Sequence, residues 1–247
     1  STDAIMDNIT IENNYNTLNT GIGSSYSDIE LTNSVIRYNE FIYDGQPEWM
    51  DGSGSGRIQG IYVHGGSEQI YEARIQNVGI YGNILDNRGI FWYDQGLLDG
   101  HIIVAYETGD YMNVELINVT ITNNEMHIEP ELLELYNNGI GAVELSIFNS
   151  NTSMINSIIW DNYPQSIIGW HNWSGDAILA DYSDIELHTF EFEYEDSQQI
   201  VVGQGNINQD PLFVNPEDGN FNLSSNSFAM LNAWSQYSNA SSNRSVR

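Results

Sequence analysis

The stretch NVTITNN, Asn118–Asn124, decides how this chain is read, because nearly the same seven residues occur four more times. The other copies are NITIENN from Asn8, NSVIRYN from Asn33, NVGIYGN from Asn77 and NSIIWDN from Asn156. All align without a gap on Asn-x-x-Ile-x-x-Asn, with the central isoleucine at Ile11, Ile36, Ile80, Ile121 and Ile159. An apolar residue stands two places before most of the leading asparagines, at Leu31, Ile75, Leu116 and Met154. Copies start roughly 25 to 44 residues apart, and periods of that size belong to stacked repeat architectures.

Within each copy, Val, Ile, Thr and Tyr alternate with polar residues at period two, as in VELINVTI and SMINSII, which is the pattern of short strands. Helical periodicity is confined to EPELLELYNN, residues 129–138, where one short loop helix is expected. Asparagine tolerates the left-handed backbone of a tight bend, and its amide can donate to the copy on one side while accepting from the other. The repeat therefore predicts an all-β, right-handed parallel β-helix (solenoid) with long loops on one side, of roughly seven coils and about 30 Å. On this reading Asn8, Asn33, Asn77, Asn118 and Asn156 take the inner bend and the five isoleucines fill the core. A first strand of each coil is expected upstream, in GIGSSY from Gly21, RIQGIYVH from Arg57, HIIVAY from His101, GIGAVELSI from Gly139 and AILADY from Ala177. The competing reading is a β-sandwich in which the asparagine spacing is coincidence.

Charge narrows the partners. The chain has 34 acidic residues against six arginines and no lysine, a net charge of -28. Phosphate binding needs clustered Lys and Arg, so no nucleic acid is expected, nor an anionic membrane surface. No apolar run is long enough to cross a bilayer, so membrane insertion is not expected. Without cysteine there is neither a disulfide framework nor a thiolate metal site. The opening STDAIMDN carries no basic, apolar-cored leader, so any export signal has been removed or lies outside this sequence; the shortage of bases suits an exported, cation-tolerant surface, and an extracellular or cell-surface location is the expectation.

The run from NVELINVTITNNE through GIGAVELSIFNSNTSMINSIIWDN and ADYSDIE to GQGNINQDPLFVNPEDGNFNLSSNS resembles bacterial secreted right-handed parallel β-helix repeat proteins of the pectin-lyase-like superfamily. The terminal GNINQDPLF is the most specific part of that likeness. The resemblance covers roughly residues 1–230 and implies the fold, with the β-helix domain expected over 1–223; it implies little about activity, because such a fold hosts lyases, hydrolases, esterases, adhesins and non-catalytic modules alike. Two departures stand out. The family's closing Ser-Pro-Ala-Ile-Asp pattern is replaced by Ser227-Phe228-Ala229-Met230-Leu231, and residues 224–247 look like a Ser/Asn-rich tail or linker. An insert from His188 to Val202 alternates aromatic and glutamate residues, which suits an amphipathic strand over an end of the solenoid.

No catalytic set follows. Uronate lyases of that superfamily need a cationic base and Ca²⁺, and only Arg37, Arg57, Arg74 and Arg88 are candidates for the base. The hydrolase-type pattern of paired aspartates with Gly-His-Gly is missing, HGG at His64–Gly66 being a poor match. Carboxylate pairs for glycosidase chemistry are available in the long loops at Asp44, Glu48, Asp51, Asp94 and Asp99, but an acidic chain offers such pairs everywhere. No cofactor is required by any motif. Ca²⁺ is the one candidate ion, through DGSGSG from Asp51 and NPEDGN from Asn215, neither of which matches an established calcium loop.

The stronger signal is aromatic. Loops at 41–56, 85–100 and 163–176 carry Trp49, Trp92, Tyr93, Trp170 and Trp173 among Asn, Asp and Gln, a mixture that suits stacking on sugar rings with hydrogen bonds to their hydroxyls. Packing of those rings onto the solenoid is the plainer explanation. The expectation is a non-catalytic β-helix module for adhesion or carbohydrate recognition, with a polysaccharide or glycan as partner. The alternatives are a polysaccharide lyase or hydrolase, and an end-to-end homo-oligomer forming a filament, since the chain enters a rung almost directly at AIMDNITI.

Overall fold

The structure, a computed structural model, describes residues 3–15, 21–25, 27–42, 60–64, 70–86, 103–106, 112–127, 143–145, 151–163, 166–168, 178–186 and 201–229. Among the described residues the strands assort into four parallel sheets and one antiparallel hairpin. The seven-stranded sheet holds Ala4–Asp7, Ile29–Thr32, Tyr71–Gln76, Met112–Ile117, Asn151–Ile155, Ile178–Asp181 and Val201–Val202. The six-stranded sheet holds Thr10–Glu12, Val35–Arg37, Gly79–Tyr81, Thr120–Thr122, Ile158–Trp160 and Asp184–Ile185. A five-stranded sheet contains Ile22–Ser25, Ile61–His64, Ile103–Tyr106, Val143–Leu145 and Ser166–Ile168, and a three-stranded one Glu40–Ile42, Ile84–Asp86 and Glu125–His127. In the three turns that begin at Ile22–Ser25, Ile61–His64 and Ile103–Tyr106 the chain visits the five-, seven-, six- and then three-stranded sheet, whereas the turn from Val143–Leu145 passes from Ile158–Trp160 straight to Ser166–Ile168 in the five-stranded sheet. This all-β architecture of long parallel sheets is consistent with a parallel β-solenoid.

Register explains the spacing of the sequence repeat. Ile11, Ile36, Ile80, Ile121 and Ile159 are direct neighbours across successive strands, and Ile185 extends the column. Ile36, Ile80, Ile121, Ile159 and Ile185 are buried, and Ile11 packs against them. A second column runs through Met6, Leu31, Ile75, Leu116, Met154 and Ala180. Stacking equivalent positions lets like side chains occupy like space, so one apolar residue type recurring per turn fills a continuous core.

Four of the expected first strands fall in the five-stranded sheet. The fifth, AILADY, does not: Ile178–Asp181 belongs to the seven-stranded sheet, and Ser166–Ile168 takes the five-stranded position in that turn. Spacing misleads here because this turn reaches its first sheet within a few residues of Tyr163. The expected helix at 129–138 and residues 230–247 of the tail expected at 224–247 lie outside the described residues, as does the insert up to residue 200; within 224–229, the Ser224 N–H donates to the Leu212 carbonyl and Ser227 is buried. Val201–Val202 at its end adds a strand to the seven-stranded sheet.

Candidate binding cleft

Two bends join the strands of each turn, and both obey one rule. At the first bend Asn8, Asn33, Asn77, Asn118, Asn156 and Tyr182 have φ between 49 and 56°, and at the second Asn13, Tyr38, Gly82, Asn123 and Asp161 have φ between 52 and 64°. In each case the left-handed residue turns outward and the next one turns in. Leading asparagines are therefore exposed, a correction to their expected place at the inner bend. The inner position belongs to the trailing asparagine of the motif: Asn39, Asn83 and Asn124 are fully buried and Asn162 nearly so.

The buried row is fully bonded. Asn39 Nδ2 donates to Asn83 Oδ1 at 2.9 Å, Asn83 to Asn124 at 3.0 Å and Asn124 to Asn162 at 2.9 Å. Each amide also donates to the carbonyl of an isoleucine one turn back, as Asn83 does to Ile36 and Asn124 to Ile80. Backbone N–H groups of Asn39, Asn83 and Asn124 donate to the same Oδ1 atoms. Such complete pairing is what permits an amide in an apolar core.

The exposed row forms a ladder of opposite polarity. Asn156 Nδ2 donates to Asn118 Oδ1 at 2.7 Å, Asn118 to Asn77 at 3.0 Å, Asn77 to Asn33 at 3.0 Å, and Asn33 to the Asp7 carboxylate at 2.8 Å. The Thr32 hydroxyl and this Asn33 amide hold the Asp7 carboxyl below its ordinary range. Beside the ladder, inward-facing Ser34, Ser157 and Ser183 return a hydrogen bond to the carbonyl two residues back and accept one from the backbone of an adjoining turn.

GNINQDPLF ends the stack and reverses the chain. Asn206 Nδ2 donates to the Ala180 carbonyl, its Oδ1 accepts the Ser183 N–H, and Ile207 bridges to Asp184 as a further rung of the six-stranded sheet. The chain then returns as an antiparallel hairpin, Phe213–Asn215 with Asn220–Leu223, closed by a 3-10 turn at Pro216–Asp218. Gly219 ends that turn at φ 73° against the Tyr38 hydroxyl, where any Cβ would collide. Phe221 rests on Tyr81 at 4.5 Å and on Phe213 at 5.2 Å. Under this seat Arg37 is held by Glu12 at 2.6 Å and by the Tyr81 hydroxyl at 3.0 Å. NPEDGN, expected as a possible calcium loop, is the tip of this hairpin: Asn215 donates to Asp218 within it. Among the described residues no three His, Asp or Glu side chains converge as a metal site.

Between the hairpin and the outer face of the six-stranded sheet lies a cleft of two lobes, about 360 and 330 Å³. The lobes meet at Asn118, Thr120, Phe221 and Asn222. Asn77 and Gly79 line one and Asn156 and Asp184 the other, so the exposed asparagine row forms one wall. Gly79 occupies the row of Val35 and Thr120 without a side chain. A Cβ there would press on the Tyr81 ring at 3.1 Å, and glycine inside a strand commonly marks such a close approach. Asp184 sits at the far end, 2% exposed. Its Oδ1 accepts the Gln209 N–H at 3.2 Å while Oδ2 is buried without a partner. Burial raises its pKa to about 6, the nearby Asp210 charge adding to the effect and the Gln209 N–H opposing it.

Trp49, Trp92, Tyr93, Trp170 and Trp173 all lie outside the described residues, as do Arg57, Arg88 and the loop carboxylates from Asp44 to Asp99. The cleft was not anticipated, although the signals for its roof were present: Pro-Glu-Asp-Gly is a turn sequence, and Phe213-Val214 and Phe221-Asn222-Leu223 flank it as short strands. Comparison with protein-family models, curated proteins and solved structures finds no match for this chain.

Proposed function

We propose that the chain is a secreted or cell-surface right-handed parallel β-helix of about seven coils, akin to the pectin-lyase-like superfamily, that recognises carbohydrate without a catalytic step of its own. The observation that supports this reading is the cleft, which sets a row of exposed amides (Asn77, Asn118, Asn156) opposite the Phe221 ring. Amides offer neutral donors and acceptors to hydroxyl groups, and an aromatic wall offers contact to the apolar face of a sugar ring. Binding sites of this kind combine apolar surface with a few placed polar groups. Trp49, Trp92, Tyr93, Trp170 and Trp173 stay candidates for sugar contact by residue type alone.

A glycan array of neutral and acidic polysaccharide fragments, probed with the purified chain, tests the proposal. A reproducible signal on at least one glycan is expected. A blank array across both classes would overturn it.

A further inference from the structure

The proposed carbohydrate reading, on which this inference rests, does not specify the sugar; the charge and spacing of the cleft lining do. No Lys, Arg or His occurs among the described residues lining either lobe, and the one carboxylic acid there is Asp184. Arg37 reaches the Tyr81 hydroxyl at the margin of the cleft, yet its charge is matched by Glu12. A chain of net charge -28 surrounds the site with negative potential, which repels an anionic ligand unless a cation intervenes. Uronate and sulfate groups are ordinarily held by Arg or Lys.

The wall itself is built for neutral groups. Within the ladder, Asn118 spends one N–H on Asn77 and its Oδ1 accepts from Asn156. An amide carries two N–H donors and two acceptor lone pairs, so one of each remains outward. These repeat from rung to rung at about 4.8 Å, close to the length of one pyranose residue in an extended chain. Gly79 deepens the floor next to the row, and Phe221 supplies the opposite, apolar side. We propose that the cleft between the exposed asparagine row and the C-terminal hairpin takes an uncharged oligosaccharide, lying along the stack across Asn77, Asn118 and Asn156, and discriminates against uronates and sulfated sugars.

Titration calorimetry of the full chain with cellohexaose, xylohexaose, mannohexaose, chitohexaose and hexagalacturonate tests this. Thr120→Trp fills the meeting point of the lobes while keeping every asparagine of the ladder, and Thr120→Arg adds a cation there. The expected result is binding of at least one neutral hexasaccharide, weakened at least tenfold by Thr120→Trp, with no hexagalacturonate binding until Thr120→Arg is made. Both variants are checked for unchanged melting. Hexagalacturonate binding by the parent chain at equal strength would overturn the ligand class while leaving carbohydrate recognition intact. Neutral binding indifferent to Thr120→Trp would place the site elsewhere and overturn the inference. Failure of all four neutral hexasaccharides would overturn it whatever the array shows, and an array positive only for acidic glycans would then still support the broader function.

Discussion

Two asparagines of one seven-residue motif do different work, and the difference is measurable. Replacing Asn124 with Ala strips partners from the Asn83 side-chain N–H, the Asn83 backbone N–H and the Ile80 carbonyl, all buried. At about 1–3 kcal/mol for each buried group left unpaired, a loss of at least about 3 kcal/mol in urea unfolding is expected. Asn118→Gly keeps the left-handed bend available and opens its ladder partners only to water, so about 1 kcal/mol or less is expected. Equal effects would refute the inward and outward assignment. Ile121→Ala removes a fully buried rung of the isoleucine column and should cost about 2–5 kcal/mol. Asp184 brings a pH dependence of unusual sign. Its folded pKa is raised from 3.8 to about 6, so the folded state holds the proton more tightly than the unfolded state. Below 3.8 both states are protonated and this residue exacts no penalty; stability then falls as pH rises to 6, and the buried charge costs up to about 3 kcal/mol above that. Asp184→Asn should accordingly raise stability at pH 7.5, by up to that amount, and change it little at pH 3.5. A variant no more stable than the parent at pH 7.5 would contradict the assignment.

At the scale of elements, the hairpin depends on what it lies on. Two-stranded hairpins are marginal alone, so 213–223 owes its order to Phe221 on Tyr81 and to Gly219 against Tyr38. Gly219→Val combines a β-branched residue at φ 73° with a collision at the Tyr38 hydroxyl, and strain of roughly 1–3 kcal/mol is expected. Amide hydrogen exchange should quicken over 213–223 and leave the strand Thr120–Thr122 protected; unchanged exchange in the hairpin would show that the seat does not hold it. Strand content was legible from period-two alternation, and so was the stacking of the isoleucines, because a repeated core position is visible as a repeated residue. Which asparagine faces inward was not legible. Both recur in the motif, and the choice depends on which residue of each bend adopts the left-handed backbone: the leading Asn itself at the first bend, the residue before the trailing Asn at the second. That second position reads Asn13, Tyr38, Gly82, Asn123 and Asp161, a variety that in hindsight marks an outward side chain.

For the whole molecule, the net charge of -28 acts against compactness through self-repulsion. Raising NaCl from 10 to 150 mM shortens the screening length from about 30 to about 8 Å. The thermal midpoint should rise by at least about 2 °C, the equivalent of roughly 1 kcal/mol in a chain of this size, whereas an unchanged midpoint would mean that the acids are too dispersed to oppose folding. Screening should leave the binding of a neutral hexasaccharide unaltered, since no charge pairing contributes to it.

By itself the sequence determined the period of the stack, the strands within it and the residues of its apolar columns, because each of these is a property of residue types recurring at a spacing. Only the tertiary structure decided which amides are buried, that AILADY joins the seven-stranded sheet, and that the DPLFVNPEDGNFNL segment folds back to roof a cleft against a face that begins as far back as Asn77. The reason is physical: local pattern encodes whether a residue prefers water or core, but a surface formed by the meeting of distant segments exists only once the chain has closed on itself.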